Sequence, residues 1–311
     1  MKTIDTLKKV ITHATVFHSD DVFGVALMKL LNPDIEIVRT VDKATIQSLM
    51  PEIETGEALI FDIGAEYGLT KYDHHQKNKT PDDYRPIEDG TWIDNDGKES
   101  PILYCGFGKL WRDFGYLLCK DPRAFEAVDK KIVLPIDKAD NGIEGNLISC
   151  AISSFNPTWE EEQTHENEAS HFWQAEKIAE QILTRIIKTA NATYNAEEEV
   201  SNAEVVDENI LVMDKYVPWQ DYMDSRPKLL FVVFPHKRGG YAIQKVPLTR
   251  GSFAGRCQFP EIWLGNPPKE LGMTFCHPGN FLACCTTKEE AVNAARIAIK
   301  EWEKANHSSA L

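Results

Sequence analysis

Apolar and polar positions along the chain switch between a period of two and a period of three to four, and the switches divide it into strands, helices and loops. Lys9-Val10-Ile11-Thr12 predicts a strand, and residues 20–31 carry Val22, Val25, Ala26 and Leu30 at helical spacing. A second strand is expected at Ile35-Glu36-Ile37-Val38, a short helix over 43–50, and a third strand over 58–63. Strands alternating with helices imply an α/β fold, a mostly parallel sheet with helices on both faces. Further helices are expected over 103–118 and 124–134. From 160 to 190, Phe172, Ala175, Ala179, Ile182, Leu183 and Ile186 share one side of a long amphipathic helix.

That helix is expected to close a first domain, residues 1–190. The polar stretch 189–208, with Glu197-Glu198-Glu199, has the composition of a solvated boundary, so 191–208 reads as a linker. Residues 209–311 read as a smaller, mixed α/β domain. There, apolar runs over 228–234 and 241–246 flank His236-Lys237-Arg238-Gly239-Gly240, a hairpin signal. A strand pair at 273–275 and 281–284 and a helix over 288–304 complete it.

Composition narrows the class. At 311 residues, 42% hydrophobic and 26% charged, the chain has the make-up of a globular protein with two cores. Its longest apolar run, residues 229–234, is far short of the roughly 20 residues of a membrane span. With no apolar stretch near the amino terminus, a cytoplasmic address is expected. Seven cysteines without a Cys-x-x-Cys pair argue against a disulfide framework and a zinc ribbon, and Cys284-Cys285 reads as two small apolar residues in a strand. A net charge of -14 opposes tight non-specific nucleic-acid binding. A polyanionic substrate must therefore be met locally, by metal or by a small basic patch.

The candidate chemistry collects in the first domain. Tyr72-Asp73-His74-His75 places two adjacent imidazoles behind an acid, a short loop after the strand that ends near Asp62. His13, His18 and Asp20 follow the first strand, and Asp137 and Asp140 fall in Ile136-Asp137-Lys138-Ala139-Asp140-Asn141-Gly142. Ligands of such sheets sit beyond the carboxyl ends of the strands, where these residues fall. Imidazoles mixed with carboxylates and without thiolates suit Mn, Fe, Co or Zn, with Mg also compatible. More than four ligands points to two divalent ions, and Asp62 is the residue suited to bridge them.

Plainer readings stand beside these. Asp140 before Asn141-Gly142 fits turn chemistry, and Asp137 a turn or cap. His165 and His171, six residues apart on a helix, read as surface residues. His236-Lys237-Arg238 is most simply a solvated hairpin tip. Lys245, Arg250, Arg256 and His277 are candidates for substrate contact or ordinary surface.

The ordered motifs also match a known pattern. His18-Ser19-Asp20, Phe61-Asp62-Ile63-Gly64 and Asp73-His74-His75 resemble the DHH phosphoesterase superfamily, which includes exonucleases, oligoribonucleases and manganese pyrophosphatases. With Thr12-His13, Ile37-Val38-Arg39-Thr40, Asp-Asn-Gly after Ala139 and Asn156-Pro157-Thr158-Trp159, the chain resembles the melanocyte proliferating gene (Myg) family over nearly its whole length. The resemblance implies a metal-dependent phosphodiester hydrolase with Mn favoured, a 3′–5′ exonuclease on RNA or short oligonucleotides.

It further implies that His13, His18 and Asp62 hold one ion, and Asp20, Asp62, His74 and Asp140 the other. His75 and Arg39 would face the substrate phosphate, and Asp73 and Asp137 would orient the ligands. Two departures are visible. His18 stands where most of the superfamily carries an aspartate, and Cys276-His277-Pro278-Gly279-Asn280 stands where its nucleases carry Gly-Gly-Gly-His. The alternatives are a phosphatase for a small phosphorylated metabolite or pyrophosphate, and a non-enzymatic metal-binding regulator. The sequence fits a monomer and a homo-oligomer equally.

Overall fold

A computed structural model describes residues 4–93 and 97–308. The chain divides into two compact units, Met1–Asn191 and Ala192–Leu311. The first contains a parallel three-stranded sheet of β1 (Lys9–Thr12), β2 (Glu36–Arg39) and β3 (Ala58–Ile60), in the order β2-β1-β3. A helix links each successive pair, α1 (Ser19–Leu31) and then α2 (Lys43–Thr55). Parallel neighbours need such crossovers, which explains why strand and helix patterns alternate in this part of the sequence. Ile11 of β1 and Ile60 of β3 pack with Ile46 and Ile53 of α2 in one apolar cluster. α1 is buried from Ser19 to Met28, acids included. A helix buried all round is a core helix, and here its polar first turn is enclosed too.

A small antiparallel pair, β4 (Thr91–Ile93) and β5 (Glu99–Pro101), precedes α3 (Gly106–Phe114) and α4 (Pro122–Val128). A wide π turn over Asp129–Val133 then feeds α5 (Leu134–Asp140). The helix expected to end at 134 thus continues to Asp140. Pro135 does not break it, because its missing N–H falls in the first turn of α5, beside the π turn. The expected strand over 58–63 ends at Ile60, since Asp62 adopts φ 61°, outside the extended region. α6 (Leu147–Ser153) and the long α7 (His165–Tyr194) follow.

The second unit is built on a six-stranded sheet: β6 (Glu204–Val206), β7 (Ile210–Val212), β8 (Phe231–Pro235), β9 (Tyr241–Lys245), β10 (Met273–Cys276) and β11 (Leu282–Cys285), in the order β10-β11-β9-β8-β7-β6. Only β7 and β8 run parallel. The period of two sorts its side chains. Phe231, Val233, Ile243, Ala283 and Cys285 pack with Ala291, Ala295 and Ala298 of α9 (Lys288–Ser308). Leu211, Val232, Phe234, Ala242 and Cys284 join a separate cluster around Trp219 and Met223.

Residues 191–208, expected to be a linker, are folded. α8 (Glu197–Asn202) buries Val200 against the Trp219 cluster, and β6 forms one edge of the sheet. The glutamates set the polarity of the exposed side of α8, while Ala196 and Val200, four residues apart, are its buried side. Among the described residues no helix is long and apolar enough to cross a membrane.

Candidate metal centre

Four chain segments bring acids and imidazoles to one cavity of about 740 Å³ in the first unit. The loop after β1 supplies His13, and His18 is the N-cap of α1. The first turn of α1 supplies Asp20 and Asp21, both fully buried, which do not line the cavity themselves but converge with His18 and His13, which do. Asp62 follows β3 in the left-handed region, and the loop beyond it carries His74 and His75. Asp140 arrives from the last residue of α5. Thr15, at φ 81°, also lines this cavity. A β-branched residue and a buried aspartate held at positive φ are strained, and such strain gathers at functional sites.

The distances define three converging groups: His13 with Asp21 and Asp62, His18 with Asp20 and Asp140, and Asp62 with His74 and His75. His13 Nε2 lies 2.9 Å from Asp21 Oδ2 and 3.2 Å from Asp62 Oδ2. His74 Nε2 lies 3.2 Å from Asp62 Oδ1 and 3.2 Å from Asp140 Oδ2. The two oxygens of Asp62 therefore face two different groups. Both oxygens of Asp20, Oδ2 of Asp21, Oδ1 of Asp62 and Oδ2 of Asp140 are buried without a hydrogen-bond partner.

Buried carboxylate oxygens are ordinarily satisfied by donors, and leaving one without costs about 1–3 kcal/mol or more for a charged group. Five such oxygens gathered with imidazole nitrogens in converging groups are the donor set of a cation site, with hard oxygens and borderline nitrogens. The residues present fit divalent metal.

Electrostatics point the same way. Burial, then Asp62 and Asp140, push the Asp20 carboxyl well above the usual range, and burial raises Asp21 and Asp140. Against its own burial, His13 is pushed up to about 11 by Asp21 and Asp62. The positive end of α1 offsets part of this negative charge, and the cluster still attracts a cation.

Asp73 stands behind the imidazoles. Its Oδ1 accepts from the His75 backbone N–H at 2.9 Å and faces His75 Nδ1 at 2.8 Å, while Oδ2 accepts from the Ala65 N–H at 2.5 Å. Burial works against its charge, yet these donors hold Asp73 below the ordinary carboxylate range. His75 is thereby fixed through Nδ1, with its side chain 60% exposed.

Asp137 does not reach the cavity. Its Oδ1 accepts from the Cys105 N–H at 2.9 Å, at the start of α3, and its Oδ2 meets Arg85 Nε at 2.5 Å. Arg85 also holds Asp129 through two bonds and Asp89 through one. Gly108 of α3 packs directly on the Asp137 carboxylate, where a Cβ would overlap it, and Gly106 sits 3.2 Å, at its would-be Cβ, from Asp62 Cβ. Asp137 thus ties down the N-cap residue of α3, the helix beside its own.

Asp21 is the site residue that sequence reasoning passed over. Its Oδ1 accepts from the His18 backbone N–H at 3.0 Å, closing a capping box, which leaves Oδ2 free toward His13. The signal was an acid at the third helical position after a capping residue, masked because acids in a first turn are ordinary.

The remaining candidates are placed elsewhere. Arg39 stacks 3.8 Å from the Phe172 ring and bonds Glu168 at 3.0 Å, and it is not among the residues lining the cavity. In the second unit, buried Lys245 donates to Gln258, and Arg256 to the carbonyls of Met223, Arg226 and Leu229. Arg250 pairs with Asp221, and His277 Nδ1 accepts from the Gly279 N–H. His165 is a surface residue, as its 88% exposed side chain requires, whereas His171 is partly buried and bonds the Phe155 carbonyl.

A family model described as an uncharacterised protein family (UPF0160) and labelled MYG1 exonuclease matches residues 9–299. The chain belongs to the MYG1 exonuclease family. The MYG1 match begins at the first residue of β1 and spans every converging acid and imidazole. The chain is 27% identical over 330 residues to the MYG1 exonuclease of Homo sapiens, covering 93% of this chain and 85% of that protein. It is 25% identical over 332 residues to the MYG1 protein of Dictyostelium discoideum, covering 90% and 93%. No solved structure matches the chain.

Proposed function

We infer that this MYG1-family chain is a metal-dependent phosphodiester hydrolase with a DHH-type first unit, helices covering both faces of its sheet, acting on RNA or short oligonucleotides from the 3′ end. The observation that carries the reading is Asp62, whose two oxygens face separate acid and imidazole groups. The human relative's name, MYG1 exonuclease, supports the substrate class.

His13, Asp21 and Asp62 would hold one divalent ion, and Asp62, His74, Asp140, Asp20 and His18 a second, with Mn favoured. This grouping parts His13 from His18, which the resemblance had placed at one ion, because each converges with a different acid of α1. When bound, the ions lower the pKa of water and neutralise charge developing on the phosphoryl oxygens. The chain's own residues do the rest. Asp73, accepting from Nδ1–H, fixes the His75 ring and favours its charged form, in which Nε2–H would donate to the substrate phosphate. Asp137, tied to the start of α3 and to Arg85, keeps α5 seated so that Asp140 stays in the cavity.

The test compares Mn-dependent turnover of a short oligoribonucleotide with that of pyrophosphate. Hydrolysis of the oligonucleotide, lost in Asp62→Asn, is the expected result. Turnover of pyrophosphate alone would replace the substrate class with a small phosphoester, and tight Mn binding without either activity would leave a metal-binding regulator.

A further inference from the structure

The hairpin tip between β8 and β9, read from sequence as solvated, borders a second polar cavity of about 780 Å³ within the second unit. Tyr216, Phe275 and His277 line it beside His236, Lys237 and Arg238. It opens on the face of the sheet opposite α9, where Leu282 and Cys284 of β11 point, because Ala283 and Cys285 are the pair packed on that helix.

Two features of this cavity are unusual for the molecule. Two of its aromatic rings are part-exposed, Phe275 by 43% and Tyr216 by 48%, and Tyr216 rests on the buried Phe234 ring at 5.1 Å. His277 extends the aromatic surface, its ring 5.9 Å from Phe275 and 4.2 Å from Phe281. The second feature is charge. In a chain of net charge -14, the described residues lining the cavity include no Asp or Glu, and Lys237 and Arg238 have no acidic partner among the described residues.

The histidines complete the set. Nδ1 of His236 accepts from the Arg238 N–H and Nδ1 of His277 from the Gly279 N–H, which assigns the ring proton of the neutral form to Nε2 in each. Free cations and imidazole donors beside part-exposed rings match a ligand with both negative charge and flat aromatic faces. A single-stranded nucleic acid has that chemistry: each base stacks whatever its identity, and each phosphate accepts from basic side chains.

We propose that this cavity binds a single-stranded oligonucleotide, with bases stacked on Phe275 and Tyr216 and phosphates held by Lys237 and Arg238, and that it does so without metal. The inference rests on the nucleic-acid reading above for its choice of ligand, though not on catalysis.

The experiment measures binding of a fluorescently labelled 12-nucleotide RNA to the full chain in EDTA, by anisotropy, over a series of salt concentrations. Phe275→Ala should weaken binding about tenfold. The double variant Lys237→Glu/Arg238→Glu should abolish most binding and lower the slope of log affinity against log salt by about 0.7 for each phosphate no longer neutralised. Inorganic polyphosphate is the control, and its binding should be insensitive to Phe275→Ala. Thermal unfolding of each variant verifies that it folds.

Unchanged RNA affinity in folded Phe275→Ala, or equal sensitivity of RNA and polyphosphate to it, overturns the proposal. Loss of hydrolysis with this binding intact would remove the catalytic reading and leave the cavity assigned. Hydrolysis intact with binding indifferent to all three substitutions would do the reverse.

Discussion

At the scale of the residue, Asp21 carries two duties on its two oxygens. Oδ1 is a helix cap to the His18 N–H, and Oδ2 lies 2.9 Å from His13 Nε2 without a hydrogen bond. Asp21→Asn keeps the capping oxygen and removes one buried negative charge from a crowded set. We expect the metal-free protein to gain thermal stability while affinity for Mn falls at least tenfold, as read by unfolding in EDTA and by titration calorimetry. Asp21→Ala should fall by about 1 kcal/mol relative to Asn, the usual worth of a cap. A metal-free Asn variant less stable than the parent would mean that His13 and Asp21 form a structural pair. The single-residue signals most legible in the sequence were Asp73-His74-His75 and Asp62, of which the fold brings Asp62, His74 and His75 together. Asp21 was illegible because a capping acid and a ligand acid look alike until the backbone shows which oxygen is occupied.

Elements explain how a loop can hold imidazoles in place. Residues 70–84 contain one short 3-10 turn and no longer element, yet their carbonyls are gripped from α3. Buried Lys109 donates to the Asp73 carbonyl at 2.5 Å and to the carboxylate of Asp83, while Lys79 donates to the His74 carbonyl. Asp83 also accepts from Gln76 Nε2 at 2.6 Å and the Thr80 N–H at 2.7 Å. Lys109→Met leaves Asp83 buried beside an apolar chain, so a loss of about 3–5 kcal/mol is expected, read from urea midpoints at pH 7.

The pH dependence has a definite sign. Although burial opposes its charge, Lys109 and Thr80 hold Asp83 below the ordinary carboxylate range. A depressed folded pKa contributes stability that is complete above the unfolded value of about 4 and is lost as pH falls through the folded one. The gap between parent and Lys109→Met should therefore narrow from pH 7 to pH 3, and a constant gap would show that Asp83 does not answer to Lys109. None of this was legible in the sequence, where Lys109 sits on an amphipathic helix as an ordinary surface lysine would. The strand and helix periods around it were readable, since burial of one face leaves a pattern and a single buried cation leaves none.

For the whole molecule, the division into two cores was written in the apolar pattern, and only its joint was misread, because Glu197-Glu198-Glu199 dominates the composition of a stretch whose Val200 is buried. Each unit has its own sheet and cluster of buried side chains, and among the described residues the converging acids belong to the first unit. Cation binding should therefore stabilise one unit selectively. Ligand that binds only the folded state adds about 4 kcal/mol at a thousandfold excess over its dissociation constant. For a unit of this size that is a rise of roughly 10 °C in its midpoint. Scanning calorimetry with EDTA and then with Mn should show two transitions, one moving upward by about that amount and the other still. Asp62→Asn should abolish the movement and spare the second transition. A single transition that moves as a whole would mean that the two cores unfold as one cooperative body. Equal movement of both transitions would instead place a metal site outside the first unit.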